Sequence, residues 1–123
     1  MRAKDFKGRC IKKHLQKADG VVKLYDSIQV AFAEILDIDP TIKKITVNYY
    51  LQDLSEGEFT SDFVCIKGSG DYLVRECVYR RKLTLPRTCR LLDASREYWL
   101  KRGIKDWGIV VEKEASDEQI RPD

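Results

Sequence analysis

The stretch from Phe59 to Arg81, FTSDFVCIKGSGDYLVRECVYRR, predicts two β-strands joined by a tight turn. Apolar and aromatic residues run from Phe59 to Ile66, and a second such run extends from Tyr72 to Tyr79. Gly68 and Gly70 lie between the two runs, and glycine accepts the positive φ that hairpin turns require. We therefore expect an antiparallel hairpin here.

Each of these two predicted strands carries one acidic residue, Asp62 on the first and Glu76 on the second. A carboxylate inside a half-buried strand costs free energy unless it is paired or binds a metal ion. Two carboxylates on neighbouring strands therefore predict a site for a divalent metal. Two alternatives stay open, because Asp62 could cap a turn and Glu76 could form a surface ion pair with a nearby arginine or lysine.

The elements before this hairpin are predicted from periodicity. The segment Lys7–Lys17 has helical spacing, so residues 1–24 are expected to form a basic helical segment that ends in a short apolar link. A second helix should begin at Asp26-Ser27, with Gln29 as a capping-box partner, and end before Pro40. Residues 43–52 alternate Ile45, Val47, Tyr49 and Leu51 with polar neighbours, which predicts a strand with one solvated face. Its short connection to the hairpin predicts a three-strand antiparallel meander.

The elements after the hairpin complete a mixed α/β order. Pro86 suits the first turn of a helix, which should run to Lys101 with Tyr98 and Trp99 on its core-facing side. The apolar run Asp106–Val111 predicts a buried crossover strand. The whole chain, 1–123, is expected to be one α/β domain with a flexible tail over residues 115–123.

Composition excludes several classes of protein. The chain of 123 residues has no run of eighteen apolar residues and no apolar leader at its start, which predicts no membrane span and a cytoplasmic location. Its four cysteines lack a CxxC spacing, and His14 is its only histidine, so a zinc ribbon or a histidine-based site is not expected.

Positive charge is concentrated in two segments. The net charge is only +3, from 23 basic and 20 acidic residues, yet residues 1–24 hold eight basic and two acidic ones. Residues 75–90 hold six basic and one acidic residue. This distribution favours a polyanion partner, with a solvated charged surface as the alternative. The expected phosphate contacts are Arg80, Arg81, Lys82, Arg87 and Arg90, which lie beside the predicted Glu76 strand and at a helix N-terminus.

Four segments together resemble the TnsA-like endonuclease domain of Tn-seven-type transposases, within the restriction-endonuclease-like PD-(D/E)XK superfamily. They cover much of residues 25–115 and read IQVAFAEILDIDPTIKKI, TSDFVCIKGSGDYLV, LPRTCRLLDASREYWLKRGI and WGIVVEKE. The resemblance implies a restriction-endonuclease-like core and metal-dependent DNA cleavage at transposon 5′ ends. It also implies a partner transposase subunit and an AAA+ regulator, in a prokaryotic cell or a mobile element or phage within it.

The resemblance also implies roles for individual residues. Asp62 and Glu76 match the acids that hold Mg²⁺ or Mn²⁺, and such hard cations prefer oxygen ligands. Gln29 matches the position of the family's helix glutamate, and Val78 stands where the family has a lysine. The chain therefore departs from the motif at two positions. The alternative is a catalytically inactive DNA- or protein-binding regulator on the same fold.

Overall fold

The structure is a computed structural model that describes residues 10–113. The predicted tail over residues 115–123 lies outside the described residues. The elements in chain order are β1 Ile11–His14, β2 Val21–Leu24, α1 Ser27–Ile38, β3 Ile42–Leu51, β4 Phe59–Lys67, β5 Tyr72–Cys77, a 3₁₀ segment Arg80–Thr84, α2 Pro86–Leu100 and β6 Trp107–Val110. In the described part of the chain, no helix has the length and apolar character needed to cross a membrane.

A four-stranded sheet in the order β3-β4-β5-β6 forms the centre of the fold. The first three strands pair antiparallel in sequence, which confirms the predicted hairpin and meander. Gly70 closes the β4–β5 turn with a φ of 97°, a conformation that favours glycine. The protein is therefore a mixed α/β protein, as predicted.

Strand β6 pairs parallel with β5 after the chain crosses over through α2, as expected. It lies at the edge of the sheet, and Ile109 in its centre is 40% exposed. The prediction of a buried strand over Asp106–Val111 was therefore wrong. A continuous apolar run is typical of both a central parallel strand and an apolar edge strand, and periodicity does not separate the two.

The N-terminal prediction of a helix over Lys7–Lys17 was wrong for its described part. Strands β1 and β2 pair antiparallel in a separate two-stranded sheet. Leu15, Val22 and Leu24 are buried against the main core. The apolar residues of this segment therefore pack on the core from a β-hairpin and not from a helix. The four-residue strands are too short for their alternation to outweigh the helical spacing that suggested a helix.

The two helices pack on opposite faces of the sheet. One buried cluster joins α1 to Phe63 and Cys65 of β4, and a second cluster joins α2 to Val64 of the same strand. Successive residues of a strand point to opposite faces, so the sheet forms a layer between the helices.

The alternation of faces reverses at one position in β3 and β4. Val47 pairs with Phe63 and contacts the α1 cluster, whereas Tyr49 pairs with Ser61 and its ring contacts that of Trp99 in α2 at a tilt of 54°. Between these pairs, Asn48 has a positive φ of 55°. The prediction that Ile45, Val47, Tyr49 and Leu51 share one face was therefore wrong, because a single left-handed residue changes the side on which later residues lie.

Candidate functional site

Asp62 and Glu76 meet where β4 and β5 separate. Backbone pairing runs from Ile66↔Tyr72 to Phe63↔Arg75 and does not extend to Asp62. Beyond it, the Asp62 backbone N–H donates to Glu76 Oε1 at 3.1 Å, and the Cys77 backbone N–H donates to Asp62 Oδ2 at 2.7 Å. The two carboxylates thus accept the hydrogen bonds that backbone carbonyls accept elsewhere in the sheet.

Glu76 is also bound from the α2 side. Its Oε2 accepts hydrogen bonds from Ser61 Oγ at 2.6 Å and from Ser95 Oγ at 2.7 Å. Each serine in turn accepts from an indole N–H, Ser61 from Trp99 at 3.1 Å and Ser95 from Trp107 at 3.2 Å. We call Ser61, Glu76, Ser95, Trp99 and Trp107 the Glu76 cluster. It links β4, β5, α2 and β6 through hydrogen bonds of the kind that a buried charge requires.

Burial strongly disfavours the charged form of Glu76. The residue has no exposed surface. Desolvation, and after it the nearby charge of Asp62, raise the pKa of Glu76 from 4.5 to about 7, although the hydrogen bonds from Ser61, Ser95 and the Asp62 backbone act to lower it. The prediction of a surface ion pair for Glu76 was therefore wrong, since its partners are neutral hydroxyls and a backbone amide.

Gln29 joins the same region from α1, as the resemblance implied. Its amide nitrogen donates to Asn48 Oδ1 at 2.8 Å and to the Asp62 carbonyl at 3.4 Å, and its Oε1 accepts from the Tyr25 backbone N–H at 2.8 Å. Asp26 caps the helix by accepting from the Gln29 backbone N–H at 2.7 Å. The three predicted site residues Gln29, Asp62 and Glu76 therefore converge from three elements.

Val78, at the position of the motif lysine, is buried. It is 7% exposed and lies in the α2 cluster on the same strand face as Glu76. The neighbouring Arg80 lies on the surface, where its backbone N–H and its Nε donate to Glu112 at 2.8 and 3.0 Å. A cation at position 78 would therefore enter an apolar core.

The residues in this arrangement do not fit a catalytic Mg²⁺ site. Both oxygens of Glu76 accept protein hydrogen bonds, and Gln29 directs its Nε2, which is not a metal ligand, toward the Asp62 backbone. Asp62 is only 2% exposed, whereas Mg²⁺ usually retains several water ligands. Within residues 10–113, no group of three histidine, cysteine or acidic side chains is placed to hold a metal ion.

The predicted DNA-binding residues are separate from the acids and exposed. Arg80, Arg81 and Lys82 lie in the 3₁₀ segment, and Arg87 and Arg90 lie in the first turns of α2. No ion pair within residues 10–113 involves Arg81, Lys82, Arg87 or Arg90. The Arg81 guanidinium lies 5.0 Å from the centre of the Tyr79 ring. The structure thus places these cations together on adjoining surface segments.

Sequence reasoning missed Ser61, Ser95 and Asn48. One signal was present for Ser95, which lies at the centre of the buried α2 stripe formed by Leu91, Leu92 and Trp99. A hydroxyl within an apolar helical stripe needs a buried partner, and Glu76 is that partner. Trp99 is 4% exposed, which confirms its prediction as a core residue.

No protein-family model matches this chain, and no curated protein matches it in sequence.

Proposed function

We propose that this protein is a DNA-binding subunit on a nuclease-type α/β core, TnsA-like, which acts at transposon ends beside a partner transposase. The Glu76 cluster then serves the fold rather than catalysis. The observation that carries the proposal is the contrast between the buried Glu76, whose two carboxylate oxygens both accept hydrogen bonds within the protein, and the exposed cations in the Arg80–Arg90 segment. We call that segment the basic segment.

The chemistry of the basic segment suits phosphate. It contains five cations, and the chain has no acidic residue between Arg80 and Leu92. Helix α2 begins within it without a side-chain cap and without acidic residues in its first turn. Uncapped helix N–H groups and flanking arginines attract phosphate oxygens. Such contacts bind DNA without reading its sequence, so a partner subunit would supply the selection of transposon ends.

A charge-reversal pair tests this proposal. The double variant Arg87→Glu/Arg90→Glu changes the basic segment, while Lys101→Glu/Lys105→Glu makes the same charge change near the other end of α2. Duplex DNA binding is measured by fluorescence anisotropy between 50 and 200 mM salt, a range over which phosphate contacts weaken strongly. We expect the first variant to lose at least about tenfold in affinity and to reduce the salt slope by about two. Equal losses in both variants would reject a defined binding face.

A second candidate function is DNA strand cleavage of the TnsA-like kind. The convergence of Gln29, Asp62 and Glu76 at the separation of β4 and β5 favours it. Cleavage would require Glu76 to leave its serine partners and become accessible. The test is a plasmid-nicking assay with Mg²⁺ or Mn²⁺ that compares the unmodified chain with Asp62→Asn and Glu76→Gln. Metal-dependent nicking above the background of both variants would establish cleavage, and its absence would remove this candidate.

A further inference from the structure

A groove of about 490 Å³ lies on the α2-facing side of the sheet, beyond the C-terminal end of α2. Side chains of cross-strand neighbours form its floor. Lys44 pairs with Ile66, and Ile66 pairs with Tyr72, so these three side chains share one row across three strands. Helix α2 contributes Trp99, and Arg102 follows just after the helix. We call this surface the aromatic groove.

The aromatic groove presents rings to solvent. Tyr72 is 44% exposed and Tyr49 is 42% exposed, although both lie beside buried core residues. The ring of Tyr49 contacts the buried ring of Trp99, and the two ring centres are 5.5 Å apart. Burying the face of a tyrosine ring is favourable. Two half-exposed rings in one groove therefore indicate a surface on which planar groups of a ligand can pack.

The charged side chains that line the groove are positive. Lys44 and Arg102 line the groove, and none of the described residues that line it is acidic. The Arg102 guanidinium is held 3.5 Å from the centre of the Tyr98 ring, and its Nη1 donates to the Tyr98 carbonyl at 2.9 Å. Lys44 lies 3.9 Å from Asp19, a carboxylate that is 95% exposed. An exposed ion pair of this kind contributes little and leaves Lys44 available to an anion.

We propose that the aromatic groove binds unpaired bases of single-stranded nucleic acid. Exposed aromatic rings on a sheet surface, with cations beside them, match the two needs of a single strand, since bases stack on rings and phosphates contact cations. Duplex DNA does not present its base faces, so this groove and the basic segment bind different forms of nucleic acid. The inference rests on the proposed function in that the protein acts on nucleic acid, and it adds a second site that binds opened strands.

The test compares a fluorescein-labelled single-stranded oligonucleotide with the duplex of the same sequence. Tyr72→Ala removes an exposed ring at the start of β5, and Tyr72→Phe keeps the ring without its hydroxyl. Tyr50→Ala is the matched control, because Tyr50 is 40% exposed and is the next residue after Tyr49, on the opposite face of β3. Arg102→Ala removes the cation. Anisotropy gives the affinity, and quenching of tryptophan fluorescence reports stacking near Trp99.

We expect Tyr72→Ala to weaken single-strand binding roughly tenfold, Tyr72→Phe to retain it, and Tyr50→Ala to leave it within about twofold. Arg102→Ala should weaken it and reduce its salt dependence, while duplex binding stays unchanged in all four variants. Single-strand binding that is insensitive to both Tyr72→Ala and Arg102→Ala would overturn the inference. If Arg87→Glu/Arg90→Glu still abolishes duplex binding in that case, the proposed function stands and only the groove assignment fails. If no variant weakens either single-strand or duplex binding, both the proposed function and the groove assignment are rejected.

Discussion

Glu76 and the basic segment lie close in sequence and differ in how their polar groups are satisfied. Glu76 is fully buried and accepts hydrogen bonds from two serines and a backbone amide, whereas Arg87 and Arg90 are exposed and take part in no ion pair within residues 10–113. A buried polar group with all its partners inside the protein stabilises one arrangement of the chain. An exposed cation without an internal partner is available to a ligand. This comparison is the basis for the proposal that the acids stabilise the fold and that the cations bind DNA.

The largest expected effect comes from placing a cation beside the acids. Val78→Lys, which introduces the lysine that the resemblance implies at this position, should lower the free energy of unfolding by about 4 kcal/mol, because the ammonium would replace a buried methyl pair in the α2 cluster. The measurement is urea denaturation followed by tryptophan fluorescence. Val21→Lys is the control, since Val21 is 61% exposed in β2, and it should change stability by less than about 0.5 kcal/mol.

A Val78→Lys variant that is as stable as the unmodified protein would contradict the contrast drawn between the buried acids and the exposed cations. If it also nicked DNA with Mg²⁺, the region around Glu76 would open more readily than its hydrogen bonds indicate, and the second candidate function would gain direct support.

Removing Glu76 itself should have the next largest effect. Glu76→Ala leaves the Ser61 and Ser95 hydroxyls and the Asp62 backbone N–H without their common acceptor, and buried donors without partners are costly. We expect the free energy of unfolding at pH 6 to fall by about 3 kcal/mol. Glu97→Ala, on the exposed side of α2, is the matched control. Equal stability of the two variants would show that the Glu76 cluster does not hold the sheet to α2.

The smallest expected effect is the dependence of stability on pH, which tests directly whether Glu76 titrates with a raised pKa. The pKa of Glu76 rises from 4.5 in the unfolded chain to about 7 in the folded protein, so the folded state binds more protons between these values. Stability should therefore fall as pH rises through this window, by about 2 kcal/mol between pH 5.5 and pH 8. Urea denaturation at a series of pH values measures this slope.

Glu76→Gln is the control for the pH series, because it removes the titrating group while keeping the side-chain shape. Its stability should be nearly independent of pH over the same window. The pKa values of Asp39, Asp106 and Glu112 are lowered by their hydrogen bonds. These three groups therefore change the stability of the protein only below about pH 4.5. A slope that persists in Glu76→Gln would assign the titration to another residue.

The predicted and observed sites agree in which residues meet and differ in what surrounds them. Alternation and turn residues placed Asp62 and Glu76 on adjacent strands, so the proximity of the two acids was predictable. Capping-box spacing placed Gln29 on α1, and only the resemblance associated it with the acids. The serine and tryptophan partners come from α2 and β6, which are distant in sequence. Only their packing against the sheet shows how deeply the acids are buried and which groups donate hydrogen bonds to Glu76.

The sequence by itself determined the antiparallel meander, the two helices and the crossover to β6, because these depend on local periodicity, glycine turns and a helix-starting proline. The tertiary structure alone decided the pairing of β1 with β2, the edge position of β6 and the change of strand face at Asn48. It also decided that Glu76 points to the serines of the α2 face. Burial and hydrogen-bond partners are properties of non-local contacts, so only the tertiary structure shows that Glu76 lies in an internal polar cluster.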